Sequence, residues 1–153
     1  MVGLSNNAVL QTFFLNLSAF ISFVLNYSMA FLSGKTILHV EDDESIRYIL
    51  GYALLDEGYV VHTAFNGKEA LDFLSIHFDE IDLILLDVIM PVMDGFIFNE
   101  EKLKNDSYAG IPIIIYSADD RLKSKVEAMG LPFISKPFNL VEMFNKIETL
   151  VRQ

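Results

Sequence analysis

Three acidic side chains follow apolar runs of the sequence, at points where buried strands would end. Glu41 and Asp42 come directly after one such run, and Asp87 comes directly after another. A hydroxyl and an ammonium take the same position farther along the chain, at Ser117 and Lys136. Because the carboxyl ends of parallel strands meet at one edge of a sheet, we expect these five side chains to lie together there.

A cluster of this composition is suited to phosphoryl transfer. Crowded carboxylates repel one another, and a divalent cation together with the Lys136 ammonium would relieve that repulsion. Oxygen ligands that are few in number suit Mg²⁺, which keeps several waters and shares a phosphate. With the charge neutralised, Asp87 can attack phosphorus as a carboxylate nucleophile. Ser117, Lys136 and Mg²⁺ would then bind the phosphoryl oxygens, which mainly require positioning and neutralisation.

The elements that position this cluster are five apolar runs alternating with segments of helical periodicity. The predicted strands are TILHV (36–40), YVVHTA (59–64), IDLILL (81–86), IPIIIYS (111–117) and PFIS (132–135). The predicted helices lie at 45–57, 68–78, 96–104, 120–129 and 140–151. Five βα units predict an α/β protein whose parallel sheet is covered by helices on both faces.

Side-chain patterns within these elements give further predictions. Asn66 is the expected N-cap of the second helix, and Asp43 is expected to be a first-turn carboxylate of the first. Asp94 is expected in a turn that leads into the third helix. His39 is expected to be a core or edge residue with satisfied hydrogen bonds, not a metal ligand. One face of the first helix is expected to be buried through Ile46, Ile49, Leu50, Ala53 and Leu54.

The overall composition excludes several classes of function. The net charge is −10, with 21 Asp and Glu against 11 Lys and Arg, which disfavours nucleic-acid binding through phosphate neutralisation. The chain has no Cys, so disulfides, thiolate metal sites and thiol chemistry are excluded. Its 153 residues suit one domain, and a 52% hydrophobic content is enough for a sizeable core. A cytoplasmic setting fits this composition.

Residues 1–34 differ from the rest of the chain because they contain no charged residue and no His. We therefore divide the chain into an uncharged, Phe-rich extension at 1–34 and a domain at 35–153. The stretch 8–31 is long enough to cross a bilayer, but polar residues interrupt it. Three interpretations stay open: a non-native or unstructured extension from a start codon upstream of Met29, a membrane anchor, or a helix that packs on a partner.

Four sequence blocks, in this order, resemble the signature of response-regulator receiver domains. They are LHVEDDES (38–45), LLDVIMPVMDG (85–95), IIYSA (114–118) and SKPF (135–138), and the resemblance covers about residues 35–153. It implies a flavodoxin-like (βα)5 fold, a three-layer sandwich with strand order 2-1-3-4-5. It also implies a stand-alone, chemotaxis-regulator-like receiver of a two-component system. The phosphoryl donor would be a histidine kinase or a histidine phosphotransfer protein, and a downstream protein would read the signal.

The resemblance also implies a role for individual residues. Asp87 matches the phosphoacceptor, and Ser117 and Lys136 match the residues that contact the phosphoryl group. Phe133 matches the aromatic switch residue, and the bond between Lys136 and Pro137 matches one that is usually cis.

The metal ligands implied by the resemblance come from three positions of the chain. Glu41 and Asp42 match the acidic pair after the first strand, with Asp42 preferred as the direct Mg²⁺ ligand. Asp87 itself and the backbone carbonyl of Ile89 complete the set. Ile89 offers no polar side chain to position water on a phosphoryl group, so we expect slow self-dephosphorylation.

One departure from the family pattern concerns the fourth helix. Ser117 and Lys136 are 19 positions apart, from 136 − 117, which is shorter than the usual spacing. The shortening falls around the fourth helix and the loop into the fifth strand. In the family this face changes on phosphorylation, so partner contacts and dimerisation there are expected to differ.

Two other functions compete with the phosphorylated receiver. A Mg²⁺-dependent aspartyl phosphatase of the same topology would commonly need a second Asp two residues after the nucleophile, and that position is Ile89. A phosphorylation-independent interaction module with the receiver fold is the remaining alternative, and the complete charged set argues against it. No DNA-binding or enzymatic segment follows Gln153 in the sequence, so we expect the output to be in trans.

Overall fold

The computed structural model describes residues 34–151. Its strands are β1 (Thr36–Val40), β2 (Val60–Ala64), β3 (Leu83–Asp87), β4 (Ile113–Ser117) and β5 (Phe133–Ser135). Its α-helices are α1 (Glu44–Asp56), α2 (Gly67–His77), α3 (Gly95–Leu103), α4 (Lys123–Ala128) and α5 (Leu140–Val151). Short 3-10 helices lie at Phe78–Glu80 and Asp120–Leu122.

The expectations for the N-terminal extension, including a membrane anchor at 8–31, lie outside the described residues. Between residues 34 and 151, no helix is both long enough and apolar enough to cross a bilayer.

The five strands form one parallel sheet in the order β2-β1-β3-β4-β5, which confirms the predicted fold and strand order. Strands β3 and β4 are buried along their whole length, as central strands covered on both faces should be. The order of strands reverses between β1 and β3. In an open α/β sheet, the crevice outside the carboxyl ends of two such strands is where ligands bind.

Side chains that alternate along the strands form two apolar cores, one on each face of the sheet. The first packs under α2, α3 and α4 and includes Leu38, Leu86, Phe98, Ile115 and Phe133. The second packs under α1 and α5 and includes Ile37, Leu50, Leu85, Tyr116 and Ile147. The period of two that was visible in the sequence therefore sends neighbouring residues of one strand to opposite layers.

Carboxylate and amide side chains cap three helices at the carboxyl-terminal edge of the sheet. Asp43, Asn66 and Asp94 each accept hydrogen bonds from first-turn backbone N–H groups, at 2.9 to 3.0 Å. The predicted N-cap Asn66 and the predicted helix entry at Asp94 are confirmed, and Asp43, expected in the first turn of α1, is the N-cap just before that turn. Each cap contributes about 1 kcal/mol and fixes where its helix begins relative to the preceding loop.

Two predicted details differ in the structure. Ile49 is 64% exposed, so its assignment to the buried face of α1 is wrong, while Leu50 and Leu54, predicted on the same face, are fully buried. Successive helical residues are about 100° apart, and the buried stripe here is too narrow to include both Ile49 and Leu50. The predicted fourth helix at 120–129 is a 3-10 turn followed by the six-residue helix α4.

Candidate functional site

The carboxyl ends of β1 and β3 bring three carboxylates together. Carboxylate oxygens of Glu41, Asp42 and Asp87 all lie within 4.8 Å of one another. Glu41 is fully buried, Asp87 is 3% exposed, and Asp42 is exposed. The cluster predicted from the sequence is therefore present, with one side open to solvent at Asp42.

Lys136 directly follows β5, which is the edge strand of the sheet, and its ammonium lies in this cluster. Its Nζ atom lies 2.8 Å from Oε2 of Glu41 and 3.3 Å from Oδ2 of Asp87. The Lys136 backbone N–H donates to the carbonyl of Ser117 at 2.8 Å, which ties the loop after β5 to the end of β4. The bond from Lys136 to Pro137 is cis, as the resemblance implied.

The electrostatics of Asp87 follow from this crowding. Burial raises the pKa of the Asp87 carboxyl from 3.8 to about 6. The Lys136 ammonium opposes that rise, the Glu41 carboxylate adds to it, and the Val88 N–H donates to Oδ1 at 2.8 Å. Burial is the largest cause of the raised pKa. Separately, the cluster holds three carboxylates and one ammonium, so it has too little positive charge.

A hard divalent cation fits this donor set. All three side-chain ligands offer oxygen, their number is small, and Asp42 keeps one side open for metal-bound water. Ile89 lies two residues past Asp87, in the loop after β3, with its side chain 58% exposed. Its backbone carbonyl as a metal ligand stays a prediction.

Arg47, which was not predicted as a site residue from the sequence, holds the acidic loop in place. Its Nη1 atom donates to the carbonyls of Glu41 at 2.7 Å and Asp42 at 3.1 Å. Its guanidinium lies over the Phe65 ring, 4.2 Å from the centroid. A cation one turn into the helix that follows an acidic loop was the available signal.

Gly95 fixes the other loop of the site. A Cβ atom at this position would lie 2.5 Å from the carbonyl oxygen of Asp87, so no side chain fits. The Gly95 N–H donates to the Val88 carbonyl at 3.0 Å. Helix α3 therefore begins in direct contact with the backbone that holds Asp87.

Ser117 ends β4 with its side chain fully buried. Its Oγ atom accepts the Asp119 N–H at 3.3 Å, which leaves the hydroxyl proton available for donation. Ser117 pairs with Ser135 across the sheet, and Phe133 lies two residues before Ser135 on the same face. Phe133 is 7% exposed and packs in the core under α2, α3 and α4.

A buried polar pair under Lys136 was also missed from the sequence. The His39 Nε2 atom and the Tyr116 hydroxyl are 2.7 Å apart, and Tyr116 places its ring 4.7 Å from the Lys136 Nζ atom. Burial lowers the pKa of His39 to about 3, so its imidazole is neutral. His39 is a core residue as expected. Its Nδ1 atom has no partner among the described residues, so its hydrogen bonds are only half satisfied.

Burial raises the pKa of the Tyr116 phenol well above its usual value of 10, and the Glu41 carboxylate raises it further. Tyr116 therefore keeps its proton. A neutral hydrogen-bonded pair forms the floor beneath the charged site.

The chain is similar to known proteins in sequence. A model of the response regulator receiver domain matches residues 37–148. Response regulator GtcR of Aneurinibacillus migulanus is 35% identical over 128 residues, covering 78% of this chain and 49% of GtcR. The probable transcriptional regulator ycf27 of Cyanidium caldarium is 38% identical over 120 residues, covering 76% and 46%. The chain spans about half the length of these curated relatives.

Solved structures agree with the family match. The chemotaxis protein CheY4 of Vibrio cholerae is 31% identical with a TM-score of 0.68, covering 77% of this chain and 99% of CheY4. The response regulator TrrA of Thermotoga maritima, in complex with Mg²⁺ and BeF, is 34% identical with a TM-score of 0.67, covering 76% of this chain and 98% of TrrA.

The chain belongs to the response regulator receiver domain family, a class of signalling domains. Its homologues are response regulators of two-component systems. Receiver domains interact with histidine kinases or phosphotransfer proteins and with downstream targets. They bind Mg²⁺ at an acidic cluster, and Glu41, Asp42 and Asp87 form such a cluster here.

Proposed function

We propose that Asp87 accepts a phosphoryl group from a phosphohistidine of a histidine kinase or histidine phosphotransfer protein, and that a downstream protein reads the altered surface. The observation that carries this proposal is the arrangement around Asp87. Its carboxylate ends β3 at the point where the strand order reverses, and it shares the Lys136 ammonium with Glu41. A site that has too little positive charge is suited to a reaction that also needs a divalent cation.

The transfer is a displacement at phosphorus. An oxygen of the Asp87 carboxylate forms the new P–O bond while the P–N bond to the donor imidazole breaks, and the imidazole nitrogen takes up a proton. Lys136 supplies an ammonium, and Ser117 a hydroxyl, to the phosphoryl oxygens. Mg²⁺ held by Asp42, Asp87 and the Ile89 carbonyl, with Glu41 beside them, would neutralise charge on the same oxygens when bound.

The signal is proposed to start at Ser117. When its hydroxyl turns toward the phosphoryl group, it leaves space on the face of the sheet where Phe133 packs. Phe133 has no hydroxyl, so its response is one of packing alone. We propose a chemotaxis-regulator-like action by protein contact in the cytoplasm, supported by the likeness to CheY4 over nearly its whole length.

Intact mass after incubation with acetyl phosphate tests the proposal. With Mg²⁺, the wild type is expected to gain one phosphoryl group, about 80 Da, and Asp87→Asn is expected to gain none. Asp72→Asn, an exposed aspartate of α2, serves as the matched control and should gain the group as the wild type does. EDTA should abolish the gain.

The same measurement separates the alternative function. If folded wild type that binds Mg²⁺ gains no mass, the proposal is wrong and the phosphorylation-independent interaction module takes its place. Equal adducts on the wild type and Asp87→Asn would place the chemistry on another residue. Because Ile89 cannot position water, we also expect the adduct to outlast a chase of several minutes. Loss within seconds would contradict that expectation.

A further inference from the structure

A second polar cluster lies at the opposite end of α3 from Asp87. Asn99 and Lys102 are three residues apart and share the inner face of the helix. They are 3% and 2% exposed. Lysine and asparagine are seldom this buried without partners, since each leaves water at a cost in free energy.

The Lys102 ammonium is buried without a countercharge. Its Nζ atom donates to the Ala109 carbonyl at 2.6 Å, and none of the ion pairs within residues 34–151 includes it. Burial is the cause that lowers the pKa of Lys102, to about 8, so the amine is mostly protonated at neutral pH. A lysine ammonium has three donors, and the carbonyl uses one of them.

The Asn99 amide is also available to form hydrogen bonds with a ligand. None of the side-chain hydrogen bonds in the described part of the chain involves it. No Asn99 side-chain atom is sealed away from open space without a partner. The Asn99 amide therefore faces open space, and the Lys102 ammonium has two donors to spare.

A cavity of about 420 Å³ provides that space. Asn99 and Lys102 form its polar part, and the apolar walls come from both core elements and loops, including Leu103, Ile111, Ile113 and Leu131. This volume lies in the range of small-molecule sites, which combine apolar walls with a few polar groups that orient the ligand.

We propose that this cavity binds a small monocarboxylate with a short aliphatic chain. The carboxylate accepts hydrogen bonds from the Lys102 ammonium and the Asn99 amide, and the aliphatic chain packs against the apolar walls. A cationic ligand would be repelled, and a neutral one would leave the buried ammonium uncompensated. A phosphate or sulfate would lose strong hydration on entering a site whose remaining walls are apolar.

Titration of the full-length protein with sodium butyrate, followed by backbone amide NMR, tests the proposal. Saturable shifts are expected at the residues that line the cavity. Butyramide, which has the same shape without the charge, should bind at least about tenfold more weakly, because a charge-assisted hydrogen bond in a buried site is lost.

Two variants and one control locate the site. Lys102→Met and Asn99→Leu should each weaken butyrate binding by at least about tenfold. Lys104→Met removes an exposed lysine from the same helix end and should bind butyrate as the wild type does. No saturable shift, or equal binding by wild type and either cavity variant, would overturn the proposal. The role of Lys102 would then be to hold the loop at Ala109 in place through its hydrogen bond.

Discussion

Two buried lysines at opposite edges of the same sheet have contrasting surroundings. The Lys136 side chain is 12% exposed and lies between the carboxylates of Glu41 and Asp87. The Lys102 residue is 2% exposed, bonds to the Ala109 carbonyl, and has its pKa lowered by burial to about 8. A lysine ammonium inside a protein is stabilised by countercharge, and where the fold supplies none, a ligand can.

The surroundings of Lys136 and Lys102 therefore differ in the sign of the charge they lack. The carboxyl-terminal edge has three carboxylates around one ammonium and fits a cation. At the amino-terminal edge, the Lys102 ammonium forms no ion pair with a carboxylate among the described residues, and its surroundings fit an anion. Substitutions and pH changes at the two lysines and their neighbours should therefore have measurable and different effects on stability.

Lys136→Met should lower the free energy of unfolding by about 3 kcal/mol in EDTA at pH 7.5, because it leaves two buried carboxylates without their partner. Guanidinium denaturation followed by circular dichroism measures the loss. Adding Mg²⁺ should restore more stability to this variant than to the wild type, since the cluster is then more negative. Equal stability of variant and wild type would show that the carboxylates do not depend on Lys136.

The stability contributed by Asp87 should depend on pH. Its folded-state pKa of about 6 is higher than its ordinary value of 3.8, so the folded protein binds the extra proton between these values. That contribution is fully present below about pH 4 and is lost as pH rises through 6, by up to about 3 kcal/mol. The unfolding free energy of wild type minus that of Asp87→Asn, in EDTA, should fall across this window. A difference that is flat with pH would contradict the raised pKa.

Tyr116→Phe should cost about 2 kcal/mol, because both ring nitrogens of buried His39 would then have no partner. Thermal unfolding at fixed pH measures it. Tyr108→Phe is the matched control, since that hydroxyl has no hydrogen bond within residues 34–151 and its loss should be nearly neutral. Equal effects of the two substitutions would show that the bond between Tyr116 and His39 contributes no stability.

Lys102→Met should raise the free energy of unfolding by about 1 kcal/mol when no carboxylate is present, because Met fills a similar volume without burying a charge. Lys102→Met is thus expected to raise the free energy of unfolding, whereas Lys136→Met is expected to lower it. Denaturant unfolding without added anions gives the value. A fall in stability would mean that the bond to Ala109 outweighs the desolvation of the ammonium.

Local sequence patterns were sufficient to predict the charged site at the carboxyl-terminal edge of the sheet. Asp87 follows an apolar strand, and alternating βα units make the strands parallel, so the convergence with Glu41 and Lys136 follows from topology. The N-cap Asn66 and the acidic start of α1 at Asp43 were also predictable, because the start of a helix depends on a few neighbouring residues.

Features that depend on distant packing were not predictable. His39 and Tyr116 are 77 positions apart, and nothing local indicates that they pair. The exposure of Ile49 depends on how α1 packs against the sheet and on the width of its buried stripe. The cavity at Lys102 exists because α3, the loop before β4 and the loop before β5 leave space between them.

Locating the phosphoryl group on the chain tests directly whether Asp87 is the acceptor. Borohydride reduces an aspartyl phosphate to homoserine, so protein treated with acetyl phosphate and Mg²⁺ can be reduced, digested and sequenced by mass spectrometry. We expect homoserine at position 87 and an unmodified Asp42. Homoserine at position 42, or reduction at Glu41, would show that another carboxylate accepts the phosphoryl group and would contradict the role assigned to Asp87.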